Sequence, residues 1–211
     1  MGSMFIGSFS ALKQVRIKRF LAYTSVSQVG YILLGVSSGN ILGLSASLMY
    51  LILYIIMNLL FFTIFLNIEH VILKKNIVYL SDLYGLSRYT NEIGKHLALT
   101  IMSMAGLPPL GGFIGKLFIY FSIIEAHLDF ILILSLLISL VSTYYYLNFV
   151  RYLFFEKHLE VKLYYYVKKS GLVVFLRFCS FILLTFAVFL PNYMDFFFKL
   201  SFSCAWPFIY F

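Results

Sequence analysis

Charge is scarce in this chain: only 11% of its 211 residues are Asp, Glu, Lys or Arg, against 62% hydrophobic. A soluble surface normally draws on about 25% charged residues, so a water-soluble globule is excluded. The mean hydropathy of +0.96 and the recurring long uncharged runs identify an integral membrane protein. Cysteine is nearly absent. Cys179 lies inside an apolar run and Cys204 near the end, so neither a disulfide framework nor a zinc site can be built. No thiolate-held redox cofactor is expected. Proline is rare and no low-complexity linker divides the chain, which predicts one membrane domain. No signal peptide is read at the start, because Lys13 follows the apolar opening; Ile6 stands where myristoylation requires Ser or Thr. The aromatic excess, 24 Phe and 17 Tyr, is more than lipid contact demands and suggests the coding bias of an AT-rich organelle genome.

A hydrocarbon core of about 30 Å needs about 20 apolar residues in a helix, since no unpaired backbone group can face lipid. Five stretches qualify, at 20–38, 41–68, 96–124, 130–155 and 171–190. The expected fold is an all-α membrane protein with five transmembrane helices, the third broken. Residues 1–19 read as the end of a helix plus an inner basic loop, 20–190 as the membrane domain, and 191–211 as an interfacial aromatic tail. Thirteen of the 16 basic residues fall on one side of this arrangement: before the first span, between the second and third, and between the fourth and fifth. The positive-inside rule puts them toward the cytoplasm or matrix. Topology thus accounts for the net charge of +8, and nucleic acid is not expected as a partner. Tyr164, Tyr165 and Tyr166 beside Lys168 and Lys169 fit an interfacial anchor among membrane lipids.

The third span is too long for a straight helix, since its residues would extend about 43 Å. Ala105-Gly106-Leu107-Pro108-Pro109-Leu110-Gly111-Gly112 supplies an interruption. Pro108 and Pro109 remove backbone donors, while Gly106, Gly111 and Gly112 permit non-helical dihedrals. Irregular backbone at membrane depth must line a cavity or be covered by protein. Lys116 follows one turn later, and an ionisable group at that depth marks a candidate functional site. A buried lysine can load and release a proton; an arginine cannot. The alternative is that Lys116 snorkels to the loop beyond.

Other polar residues fall in stripes. Thr24, Ser27, Gln28 and Tyr31 share one face of the first span; Tyr50, Tyr54 and Asn58 repeat by four in the second. Ser135, Ser139 and Ser142 line the fourth, where close helix packing is the simpler reading, as it is for Gly43 and Ser47. Gln28 and Asn58 serve either as interhelical glue or as relay elements. Tyr120, at i+4, is the natural same-helix neighbour of Lys116, whereas Glu125 is too far along to pair with it. Glu69, His70 and His96 sit near an interface where water can solvate them, and no metal site is assigned.

Two long motifs, Lys18 through Tyr31 and Ala105 through Lys116, resemble the antiporter-like subunits of respiratory complex I, and within them the subunit 2 type; Tyr54 through Asn58 resembles the helix between. The resemblance implies the second inverted repeat of that fold, less its first helix. It also implies that Lys116 is the titratable group of a second half-channel; Tyr120, Gln28, Ser27 and Asn58, singled out by spacing, are the polar residues expected to support it. No counterpart of the first repeat is present, so a separate chain carrying that N-terminal half is expected as a partner, with the other complex I membrane subunits. Flavin, iron-sulfur clusters and quinone are expected on those partners and no cofactor on this chain. The location implied is the mitochondrial inner membrane with the basic loops in the matrix. A subunit of a multi-subunit cation/proton antiporter and a non-pumping scaffold remain as alternatives.

Overall fold

The computed structural model describes residues 1–65, 68–70, 78–89, 91–108, 110–155 and 165–167, with isolated positions 174, 199, 202 and 203. The expected fifth span, Pro109 of the break, both cysteines and nearly all of the aromatic tail lie outside the described residues. Among the described residues the helices are α1 (Gly2–Leu12), α2 (Ile17–Ser37), α3 (Ile41–Phe65), α4 (Leu86–Tyr89), α5 (Asn91–Ala105), α6 (Gly111–Glu125) and α7 (Asp129–Phe154). Three of them, α2, α3 and α7, are long and apolar enough to cross a membrane. Helices α5 and α6 have 15 residues each, about 22 Å, so neither reaches across a ~30 Å core by itself.

Helix α2 begins at Ile17, earlier than the hydrophobic run, because its first turn carries the exposed cations Lys18 and Arg19. Helix α3 stops at Phe65, where the chain leaves for β1 (Ile68–His70). That strand pairs antiparallel with β2 (Tyr165–Val167), matching Ile68 to Val167. The helical architecture therefore carries one small addition, a ribbon joining the two basic loops, in which β-branched and aromatic residues suit extended backbone.

Small residues set the helix spacing. A Cβ on Gly35 would stand 3.1 Å from both the Gly43 carbonyl and the Ser47 Cβ, so α2 and α3 pack nearly backbone to backbone. Gly7 of α1 likewise lies against the backbone of Tyr23 and Ser27 on α2. The α2–α3 turn passes through Gly39 at φ +69°, and Gly39, Asn40 and Glu125 line one cleft at the end of the bundle away from the basic segments.

At the other end the backbone ties the basic segments together. The Ile17 N–H donates to the Val78 carbonyl (3.0 Å) and the Leu80 N–H to that of Val15 (2.9 Å). The Asp82 carboxylate accepts from the N–H groups of Val78 and Tyr79, and the Arg16 guanidinium lies 5.9 Å from the Tyr79 ring centre. The Gly85 N–H and the Ser87 hydroxyl donate to the Tyr152 and Leu153 carbonyls at the foot of α7. Lys13, Arg16, Lys18, Arg19 and Arg151 thus occupy one end of the bundle.

The core is packed where α2, α3, α5 and α7 meet, around Phe20, Met57, Phe61, Leu97, Ile101 and Phe149. Phe20 stacks on Phe149 and meets Tyr145 and Tyr146 edge-on. On α7 the outward row Ile133, Leu137, Leu140 and Tyr144 remains exposed, the composition of a face that meets lipid or a neighbouring apolar helix.

Candidate functional site

A helix end leaves its last four carbonyls without partners. At the end of α5 these belong to Met102, Ser103, Met104 and Ala105. Gly106, at φ +82°, closes a Schellman motif: its N–H donates to the Ser103 carbonyl (3.0 Å) and the Leu107 N–H to that of Met102 (3.2 Å). Two carbonyls remain, and side chains from elsewhere take them. Lys116 Nζ donates to the Ala105 carbonyl at 3.0 Å and the Met104 carbonyl at 3.4 Å, while Gln28 Nε2 donates to the Met104 carbonyl at 3.1 Å. The start of α6 is tied back as well, with the Gly112 N–H donating to Ser103 Oγ at 3.2 Å.

Helical side chains lean toward the N-terminus of their own helix, so a lysine one turn into α6 reaches back over the break. Lys116 does this and is only 3% exposed, which rules out the snorkelling geometry. Glycine at position 106 makes room for it: an added Cβ would stand 3.0 Å from Lys116 Cδ and 3.2 Å from Nζ. The amine also lies 4.9 Å from the centre of the Tyr31 ring. Its recorded partners are therefore two carbonyls at the negative end of the α5 dipole and an aromatic face, with no carboxylate among them. Among the described residues the amine is thus stabilised by dipoles and an aromatic face and is not locked in an ion pair.

Gln28 extends the polar cluster. Its Nε2 also donates to the Tyr146 hydroxyl (3.2 Å), and its Oε1 accepts from the Tyr50 hydroxyl. The Tyr31 hydroxyl reaches the Ser135 carbonyl at 3.4 Å. The result is a buried polar axis through an otherwise apolar bundle, joining α6, the end of α5, α2, α3 and α7.

The other candidate residues are placed as follows. Tyr120 is one turn beyond Lys116 on α6, its hydroxyl buried without a hydrogen-bond partner, beside Tyr31 and Ser139. Ser27 is fully buried at the α1–α2 contact, its hydroxyl also unpartnered. Asn58 is half-buried next to Tyr54 and is not brought to Lys116 or Gln28. Glu125 is exposed at the C-terminal end of α6. Ser135, Ser139 and Ser142 each donate to a carbonyl three residues back on α7, as packing serines do. Among the described residues no group of His, Cys, Asp and Glu could hold a metal ion. Two contributors were not anticipated: the ring of Tyr31 as a seat for the amine, and Tyr146. The run Tyr144-Tyr145-Tyr146 in mid-span was the available signal, because hydroxyl groups at that depth need partners.

Residues 1–142 match the family model described as NADH:quinone oxidoreductase/Mrp antiporter, TM. The NADH-quinone oxidoreductase subunit N of Paramagnetospirillum magneticum is 41% identical over 160 residues, covering 75% of this chain and 32% of that protein. The subunit N of Pelagibacter ubique is 36% identical over 161 residues, covering 75% and 33%. The chain thus spans about a third of the length of the curated relatives it matches. In solved structures, a chain of respiratory complex I from Thermus thermophilus with bound aureothin superposes with a TM-score of 0.76 at 29% identity, covering 90% of this chain and 42% of that one. A chain of the Mrp complex from Dietzia shares the fold, with a TM-score of 0.77 at 21% identity over 96% of this chain and 45% of that one.

Proposed function

Because the chain belongs to the NADH:quinone oxidoreductase/Mrp antiporter membrane family, we propose that it is a proton-translocating membrane-arm subunit of a complex I-type NADH:quinone oxidoreductase. In this reading Lys116 is the proton carrier of one half-channel. The observation that carries it is the buried amine at the helix break, held by the Met104 and Ala105 carbonyls and the Tyr31 ring. The ammonium gives one proton to water on the path toward the outer face and becomes a neutral amine, whose lone pair then accepts the next proton. Gln28 and Tyr31 keep the amine seated in both states, and the break admits the water that a continuous helix would exclude.

The same reading puts flavin, iron-sulfur clusters and quinone on partner subunits and no redox centre on this chain. It places the counterpart of the relatives' N-terminal half on a separate polypeptide, and the basic end of the bundle in the matrix of a mitochondrion. Quinone reduction elsewhere would drive Lys116 by changing the hydration of the polar axis.

The Mrp part of the family description and the Dietzia superposition favour one rival, a subunit of a cation/proton antiporter. Isolation of the native assembly decides between them: flavin and iron-sulfur proteins co-purify in the first reading and only antiporter chains in the second. For the role of the lysine, Lys116→Met in the assembled complex is expected to lower the protons moved per NADH oxidised while assembly is retained. Wild-type assembly with wild-type stoichiometry would leave a scaffold, with no proton carried by Lys116.

A further inference from the structure

Two outward rows of the bundle are purely apolar and suited to acyl chains: Ile133, Leu136, Leu137 and Leu140 on α7, and Phe5, Ile6, Phe9 and Leu12 on α1. The α2–α3 surface differs. Beside exposed Ala22, Val26 and Leu59 it carries three half-buried polar side chains, Ser25 of α2 and Tyr54 and Asn58 of α3. Ser25 stands about 9 Å along α2 from the exposed Arg19, and Asn58 about 10 Å along α3 from its end at Phe65, so both fall within the apolar length of their helices. These groups do not satisfy one another. The Ser25 hydroxyl already donates to the Ala22 carbonyl (2.7 Å), and the Tyr54 hydroxyl, with Asn58 and Ser25 as neighbours, has one proton to give. An Asn amide has two N–H donors. Even with the Tyr54 oxygen accepting from one, the other has no acceptor among the described residues. Lipid tails offer none, so a half-exposed amide in an apolar span calls for a hydrogen-bonding neighbour from protein.

The relatives indicate which protein. This chain covers 32% and 33% of two subunit N sequences, and the function proposed above puts the counterpart of their N-terminal half on a separate polypeptide. Two such pieces must share a face within the membrane, and the α2–α3 surface is the one that acyl chains leave unsatisfied. We propose that the surface around Ser25, Tyr54 and Asn58 seats a transmembrane helix of that polypeptide, an apolar helix presenting one hydrogen-bond acceptor at the level of Asn58. The inference rests on the separate-chain reading. Ala22 keeps the contact close, because a small side chain lets a second helix approach. Asn58 donates across the contact, and Tyr54 and Ser25 position its amide.

Photocrosslinking in the native complex tests the seat. A benzophenone attached through Ala22→Cys, or through Val26→Cys as a second probe, should form an adduct with the chain that holds the N-terminal-half counterpart, identified by mass spectrometry; the same group on Leu140→Cys of α7 should not. Asn58→Leu should lower the yield of that adduct severalfold and release the partner at a lower detergent concentration than wild type. An asparagine facing lipid would give the reverse, since leucine suits acyl chains better. Adducts of both α2 probes with lipid alone, with residues 171–190 of this chain or with a different subunit would overturn the seat, as would an Asn58→Leu complex that holds its partner as firmly as wild type. A native complex whose subunit list contains no N-terminal-half chain overturns the separate-chain reading itself, which tells the two failures apart.

Discussion

Replacing Gly106 by alanine separates the seat of the lysine from ordinary backbone strain, because a matched control exists in the same chain. Gly106 and Gly39 both have positive φ, +82° and +69°. A Cβ at Gly39 would meet nothing within 4 Å, so Gly39→Ala carries only the left-handed strain of about 1–2 kcal/mol. At Gly106 the same strain is joined by a collision with Lys116, whose Cδ and Nζ would lie 3.0 and 3.2 Å from the new carbon. The lysine must give by a few tenths of an ångström, which weakens the longer contact to the Met104 carbonyl first, and a hydrogen bond to a charged group contributes at most about 1.5–3 kcal/mol. The total at Gly106 is therefore up to about 5 kcal/mol, against about 1–2 kcal/mol for the control. Native gels of membranes carrying each variant report assembly, and dye-quench assays report pumping per NADH oxidised. Gly39→Ala should assemble and pump close to wild type, whereas Gly106→Ala should pump poorly even in the fraction that assembles. Equal pumping by the two variants would refute the claim that glycine is required there to seat the amine.

Other substitutions follow from the same geometry. Tyr31→Phe keeps the ring under the amine and loses only a long hydroxyl contact, so it should pump nearly as wild type; Tyr31→Leu removes a cation–π contribution of about 1–2 kcal/mol and should slow pumping, which a series of proton-uptake rates would reveal. Gln28→Leu leaves the Tyr50 and Tyr146 hydroxyls short of a partner, at about 1–3 kcal/mol each, and should lower the thermal stability of the purified complex more than Asn58→Leu, which touches no member of the cluster. Gly112→Ala drives a Cβ into the Ser103 carbonyl and should disrupt assembly outright, as seen on native gels, whereas Ser103→Ala removes a single hydrogen bond to the Gly112 N–H and should assemble.

The helical spans were legible because apolar length is a direct consequence of bilayer thickness. The positions of α2, α3 and α7 follow from it within a few residues, and the disagreements fall where charge or strand propensity takes over, at Lys18 and Ile68. The interruption between Ala105 and Gly111 could be read from two prolines and three glycines. The contacts of Lys116 could not. Spacing along one helix points to Tyr120, but the amine is held by backbone carbonyls of α5 and by a ring from α2, and carbonyl groups carry no sequence signature. Asn58 shows the same limit from the other side: a polar stripe repeating by four fixes a helix face, not the depth at which each member meets its neighbours.

The central claim is that Lys116 exchanges a proton, as distinct from supplying a fixed positive charge to the break. Lys116→Arg in the assembled complex measures this most directly, since guanidinium keeps the charge and the carbonyl contacts but does not give up its proton. The account predicts near-normal assembly with a clear fall in protons translocated per NADH oxidised. Pumping at the wild-type ratio with arginine in place would contradict it.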